Sequence, residues 1–269
     1  MKTPLLLLLA CIVLAVLPDR AAAAADKFHV VFLIAEREYG TAETLPAFAR
    51  KHLHPQGVKT SFIFAQGSEG AARNRFGAFD PLKTADLLVI SVRRRAPSQD
   101  QMAVLRKWVG AKKPIVALRT ASHAFALRGD AAPPKGHLLW PTFDRDVLGA
   151  VYRGHYGGAT AKGEPATRLF PGPGSGKHPV MQGVTLPPAS GIQSHLYRSE
   201  ELDKRASVLL LGKPAERDEK QPVAWTLIRD GHRVFYTSLG SREDMQMTAV
   251  QRLLRNAVYW AADRQVPIG

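Results

Sequence analysis

The chain has 269 residues, 37 lysines and arginines against 23 aspartates and glutamates, a formal charge of +14 and a single cysteine. One cysteine excludes an internal disulfide framework and a Cys-ligated zinc, and because Cys11 lies in a segment that reads as removable, the mature chain is expected to have no thiol nucleophile. The basic residues are scattered, with no aromatic-interleaved basic repeat and no recognisable nucleic-acid module, so the charge favours anionic surroundings without marking a nucleic-acid binder.

Residues 1–25 read as a secretory signal. Lys2 is the positive start, Leu5 to Leu17 the apolar core and Ala21 to Ala25 the small-residue cleavage zone. That core is shorter than the roughly 20 residues needed to span a bilayer. The expectation is a periplasmic or secreted protein whose residues 26–269 form one domain, with no membrane segment once the signal is removed. Leu8-Leu9-Ala10-Cys11 faintly resembles a lipoprotein cleavage box, which leaves lipidation of Cys11 open.

Residues 28–35 form a continuous apolar run, as expected of a strand buried on both faces. Glu36 to Gly40 follow as a polar loop. Thr41 to His52 then read as a helix, capped by Thr41 or Thr44 and apolar at Leu45 and Phe48. Val58 to Ala65 and Asp86 to Val92 are the next strands. Ser98 to Val109 is helical, and Ile115 to Leu118 is a fourth strand leading into the turn Arg119-Thr120-Ala121-Ser122-His123. Strands alternating with helices predict a doubly wound parallel sheet.

The stretch from 128 to 195 is rich in glycine and proline, a composition that suits a functional loop region or a cover for a sheet edge. His178 to Met181 reads as a turn leading to an edge segment. Three short runs, Ser207–Gly212, Val223–Ile228 and Arg233–Tyr236, extend the sheet, the last two joined by a turn at Asp230-Gly231. Arg242 to Arg264 reads as a closing helix, and Trp225 and Trp260 as core.

Four polar clusters each follow a strand and should converge where α/β proteins bind ligands, at the carboxyl ends of the strands. They are Glu36 to Tyr39, Ser91 to Arg95, Arg119 to His123 and Thr237 to Gly240. A fifth, Tyr152 to Gly158, lies in the glycine-rich middle. Arginine forks can hold a carboxylate, a phosphate or sugar hydroxyls, or simply pair with Glu36, Glu38 or Asp100. Glu38 beside Tyr39 is either a general base next to a phenol or a charge stabilising the following helix. Thr120 or Ser122 either lines a site or caps a helix. His123 and His155 can relay protons or reach a metal together, yet a lone loop histidine is more often a solvated surface group, and no metal or cofactor is assigned. A Ser-His-Asp hydrolase is disfavoured because the residues around Ser122 are Thr120-Ala121-Ser122-His123-Ala124, with no Gly-x-Ser-x-Gly elbow.

Taken together these landmarks resemble the ThuA-like (trehalose utilisation) family of the class I glutamine amidotransferase-like superfamily. They are Glu38-Tyr39, Ser91 to Arg95, Arg119 to Phe125, Trp140-Pro141 with Phe143-Asp144, Gly154-His155-Tyr156-Gly157, Pro222 to Trp225, and Arg233 to Gly240. The resemblance implies a flavodoxin-like three-layer αβα sandwich with a mostly parallel sheet. It also implies a small-molecule carbohydrate as partner, a keto-sugar or glycoside. In related amidotransferases the turn after the central strand carries a cysteine nucleophile. Here that turn has none, so glutamine hydrolysis by that route is not available. The converging clusters together with the resemblance make Glu38 and His155 the catalytic candidates and Tyr39, Arg93, Arg94, Arg119, Ser122, His123, Tyr156 and Ser238 the substrate-binding ones. Two departures stand out: Ser241 after Leu239-Gly240 where relatives often carry histidine, and Val151 where they often carry asparagine. Both leave open a protein that binds a sugar without converting it. Oligomeric state is not legible.

Overall fold

A computed structural model describes residues 28–67, 70–129, 131–156, 166–186, 191–192, 194–215 and 217–268. The signal reading, Gly157-Gly158 of the fifth cluster and Pro187-Pro188 lie outside the described residues. Eleven strands are named: β1 (His29–Ala35), β2 (Lys59–Phe64), β3 (Leu87–Val92), β4 (Ile115–Leu118), β5 (Val151–His155), β6 (Thr167–Pro171), β7 (Gly191–Ile192), β8 (Tyr197–Glu200), β9 (Ser207–Pro214), β10 (Gln221–Arg229) and β11 (His232–Thr237). The helices are α1 (Thr41–His52), α2 (Gln99–Gly110) and α3 (Thr248–Ala261).

Nine strands form one sheet in the order β2-β1-β3-β4-β11-β10-β9-β6-β7, and β5 pairs with β8 apart from it. From β2 to β11 every pair is parallel; from β11 outward every pair is antiparallel. The inner parallel strands β1, β3 and β4 are buried along their whole length and mostly apolar because both faces are covered, whereas the edge strand β2 is partly exposed. Leu45, Phe48, Leu253 and Val258 from α1 and α3 pack one face; Met102, Leu105 and Trp108 from α2, with Trp140 and Phe143, pack the other. The result is the expected three-layer α/β sandwich, with an antiparallel extension. Trp225 and Trp260 are core, at 1% and 6% exposure.

Local chemistry sets the boundaries. Ser98 caps α2 through a full capping box with Gln101. The α1 start differs from the expectation: neither Thr41 nor Thr44 caps it. Gly40, at φ 67°, is the N-cap, and the buried Glu36 carboxylate accepts from the Tyr39 and Thr41 backbone N–H groups, both at 2.8 Å. Asp230 (φ 50°) and Gly231 (φ 84°) turn β10 into β11, both left-handed as such a two-residue hairpin requires. The closing helix begins at Thr248 rather than Arg242. Asp244 accepts the Gly240 and Ser241 N–H groups and folds residues 240–247 into a separate turn. After β4 the chain makes a single 3-10 turn, Arg119–His123, where a helix was expected to open.

Candidate active site

Because β1, β3, β4 and β11 run parallel, the polar clusters that follow them meet along one edge of the sheet. Arg119 stands at its centre, directly after β4, in a left-handed conformation with φ 47°. Such a backbone costs about 1 kcal/mol or more for a non-glycine residue and persists only where neighbours fix it. The Tyr236 hydroxyl donates to the Arg119 carbonyl at 2.8 Å. The side chain is 1% exposed, and Nη1 donates to the Ser238 carbonyl at 2.7 Å and to Ser194 Oγ at 3.2 Å. Nε and Nη2 make no hydrogen bond. The flat guanidinium lies 4.0 Å over the Tyr39 ring and 5.1 Å from that of Tyr197. A strained strand-to-turn corner is the shape that presents nucleophiles in other α/β enzymes. Here it holds a cation.

The turn continues to Ser122 and His123, whose Oγ and Nδ1 are 3.1 Å apart. The His123 ring stacks on Tyr152 at 4.4 Å, and Tyr152 meets Tyr197 edge-on at 5.1 Å. Burial, and then the charges of Arg94, Arg93 and Arg128, push the His123 imidazole down to about 3, so it is neutral at ordinary pH. A cleft of about 580 Å³ opens against this stack, lined among others by Arg94, Ser122, His123, Asp144, Tyr152 and His155. Asp144 begins a one-turn π-helix (Asp144–Leu148) and accepts the Arg145 and Tyr152 N–H groups, both at 2.8 Å. Burial nonetheless raises its carboxyl above the usual range. His155 is exposed, its ring 4.6 Å from that of His195.

A second pocket of about 650 Å³ adjoins the cleft, sharing Arg94 and Arg128 with it, and is also lined by Arg37, Glu38, Arg73 and Arg93. Arg93 Nη2 meets Glu38 Oε1 at 2.8 Å. Arg94, like Arg119, is left-handed, with φ 50°. Arg95 turns inward instead: it is 3% exposed and donates through Nε to the Ala35 carbonyl.

The sequence model of the ThuA family, described as trehalose utilisation, matches residues 30–261. The chain belongs to the ThuA family. Membership brings a role in trehalose or sugar utilisation. The fold agrees with that of a ThuA-like protein from Parabacteroides merdae, with a TM-score of 0.61 at 15% identity over 90% of this chain and 93% of that one. Two further structures share the fold at a TM-score of 0.51 and 12% identity. The N-terminal domain of mmIFT52 matches over 89% of this chain and 100% of its own length. The carbohydrate deacetylase Agd3 matches over 88% of this chain and 32% of its own. No curated protein matches.

Within this ThuA chain, Arg94, Ser122, His123 and His155 come together on the cleft, and Glu38 and Arg93 on the adjoining pocket. Tyr39 and Arg119 pack on one another and line neither pocket. Ser238 is fully buried and serves Arg119 through its carbonyl. Tyr156 is buried in the core, and its hydroxyl donates to Glu219 at 2.9 Å. Among the described residues no group of three or more His, Cys, Asp or Glu is placed to hold a metal ion.

Several contributors went unassigned in the sequence reading, Arg73 in the turn after β2 among them. Asp144 and Tyr152 fell inside the quoted landmarks Phe143-Asp144 and Tyr152 to Gly158. Arg128 and Tyr197 carry no sequence signal, because only the folding of the glycine-rich middle over the sheet edge brings them there.

Proposed function

We propose that this ThuA protein is exported and acts on a carbohydrate, a keto-sugar or glycoside, in the cleft between the β4 turn and β5. The observation that carries the reading is the lining itself. Guanidinium, hydroxyl, imidazole and carboxyl groups surround one cavity of about 580 Å³ against tyrosine rings, in a chain of a sugar-utilisation family. Arg94 holds ring hydroxyls. Neutral His123 has one nitrogen turned to Ser122, so it serves as a hydrogen-bonding group rather than a charge. His155, exposed on the cleft, is the group free to move a proton, and Asp144, whose carboxyl burial raises above its ordinary value, is its counterpart. Glu38 acts from the adjoining pocket when a ligand displaces it from Arg93.

A second reading, sugar binding without conversion, is favoured by the occupied state of Glu38, whose carboxylate is ion-paired at 2.8 Å. Proton NMR of purified protein with ordinary and 3-keto glucosides and disaccharides separates the two. New product resonances establish an enzyme and name the bond. Ligand line-broadening with no product supports binding alone, and neither effect would refute a carbohydrate ligand of these classes.

A further inference from the structure

Several surface arginines meet carboxylates: Arg145 and Arg153 pair with Glu201, Arg205 and Arg229 with Asp203, Arg233 with Asp263 and Arg242 with Glu43. Around the pocket, Arg73, Arg93, Arg94 and Arg128 stand together, and Glu38 is the only carboxylate among the described lining residues. Arg73 and Arg94 direct hydrogen bonds to backbone carbonyls, of Arg94 and Ala126 respectively, and the Nε of each is buried without a partner. Arg128 is exposed and pairs with no carboxylate among the described residues.

Like charges held this close repel, and a fold keeps them there only if other terms hold them in place. The backbone supplies that hold. Arg94 is fixed left-handed, its N–H donating to the His123 carbonyl at 3.2 Å, while the Arg93 N–H donates to the Ala35 carbonyl at 3.2 Å. The end of β3, tied to the end of β1 and to the turn after β4, thus aims two neighbouring guanidinium groups at one cavity. Planar forks of this kind match the two oxygens of a carboxylate or phosphate, and such charge-assisted bonds are about twice as strong as neutral ones.

We infer that this ThuA protein takes an acidic sugar, whose oxyanion occupies the pocket of Arg73, Arg93, Arg94 and Arg128 while its ring lies in the cleft beyond Arg94. The inference rests on the carbohydrate reading above and adds the charge class of the ligand. Arg94 and Arg128, shared by both cavities, bridge ring and oxyanion. The oxyanion is either a uronate carboxylate or a sugar phosphate, since both present the same paired oxygens. The Glu38–Arg93 ion pair lies in the lining of this pocket, and the anion replaces Glu38 on Arg93.

Isothermal titration calorimetry of the purified protein with glucose, glucuronate, glucose 6-phosphate, inorganic phosphate and acetate tests this. At least one acidic sugar is expected to bind about tenfold or more tightly than glucose, the better of the two naming the oxyanion. Arg128→Gln and Arg93→Gln should each weaken that ligand about tenfold, the loss of one charge-assisted bond. Arg128 is exposed, so its replacement should not unfold the chain. Glucose binding as tightly as both acidic sugars would overturn the inference and leave the carbohydrate reading standing. Phosphate or acetate alone matching the acidic sugars would instead overturn the carbohydrate reading beneath it. No heat from any ligand, or acidic-sugar binding untouched in both variants, would overturn the pocket assignment.

Discussion

The Arg119 guanidinium stands 4.0 Å from the Asp244 carboxylate, and each side chain is 1% exposed. That buried pair lies beneath the site and links its centre to the loop before α3. Asp244 Oδ2 accepts from the Gly240 and Ser241 N–H groups at 2.9 and 3.0 Å, so one carboxylate both shapes the loop and balances the cation at the corner after β4. Asp244→Ala removes the anion and leaves Arg119 buried without its charge partner. Breaking a buried pair this way costs about 3–5 kcal/mol. Urea denaturation should show a loss of that order, and a loss below about 1 kcal/mol would mean that Tyr39 and Tyr197 suffice to hold the charge.

Glu36, not Glu38, fixes the start of α1. Its carboxylate takes the Tyr39 and Thr41 N–H groups together with the Thr41 hydroxyl, and it is buried. Glu36→Ala is expected to destabilise by about 1–3 kcal/mol, since several donors lose their acceptor at once. Glu38→Ala breaks only a half-exposed ion pair and should change stability by no more than about 1 kcal/mol. Equal losses for the two variants, measured side by side, would contradict this division of labour.

In turnover the order reverses. If the protein converts its ligand, His155→Ala and Glu38→Ala should each lower kcat by about 10²-fold or more, as removal of a proton-transfer group does. Glu36→Ala should fold less stably but turn over normally below its melting temperature. Steady-state kinetics on a substrate found by NMR decides it, and unchanged kcat in both His155→Ala and Glu38→Ala ends their catalytic assignment.

His123 makes stability depend on pH. Folding lowers its imidazole from 6.5 to about 3, chiefly by burial, so the unfolded chain binds the proton more readily. Its contribution is fully present above pH 6.5 and is lost as pH falls from there toward about 3, by up to about 1.4 kcal/mol per unit. Denaturation of His123→Gln between pH 7 and 4 should show a correspondingly flatter profile than the parent protein. In the parent, imidazole NMR shifts should report His123 still neutral at pH 5; a midpoint near 6.5 would show that the ring is not desolvated.

Much of this architecture was legible because parallel strands advertise themselves. Val30 to Ala35, Leu87 to Ile90 and Ile115 to Leu118 are apolar throughout, which only a strand covered on both faces tolerates, and the Asp230-Gly231 turn announces its hairpin. The convergence of Glu38, Arg93, Arg94 and Ser122-His123 followed from that parallel order alone, since parallel strands place their carboxyl ends on one edge. The start of α3 was misread because Arg242 to Met247 has no helix breaker; it is the Asp244 side chain, reaching back to Gly240 and Ser241, that ends the loop at Met247.

What the sequence by itself determined is therefore the parallel part of the sheet with its β9 to β11 extension, the edge that carries polar groups, and the ThuA family, whereas β6 and β7 lay in a stretch with no strand pattern. The tertiary structure alone decided which of those polar groups act together. Arg95 turned into the core while Arg94, one residue earlier, faces the cavity. Tyr156 went to Glu219, Asp144 and Arg128 arrived from a glycine-rich middle whose local pattern carries no period, and Tyr197 from the strand β8 that follows it. The reason is physical: strand and helix periods are set by neighbours a few residues apart, whereas burial, charge neutralisation and a cavity depend on groups brought together across tens of residues, which no local pattern records.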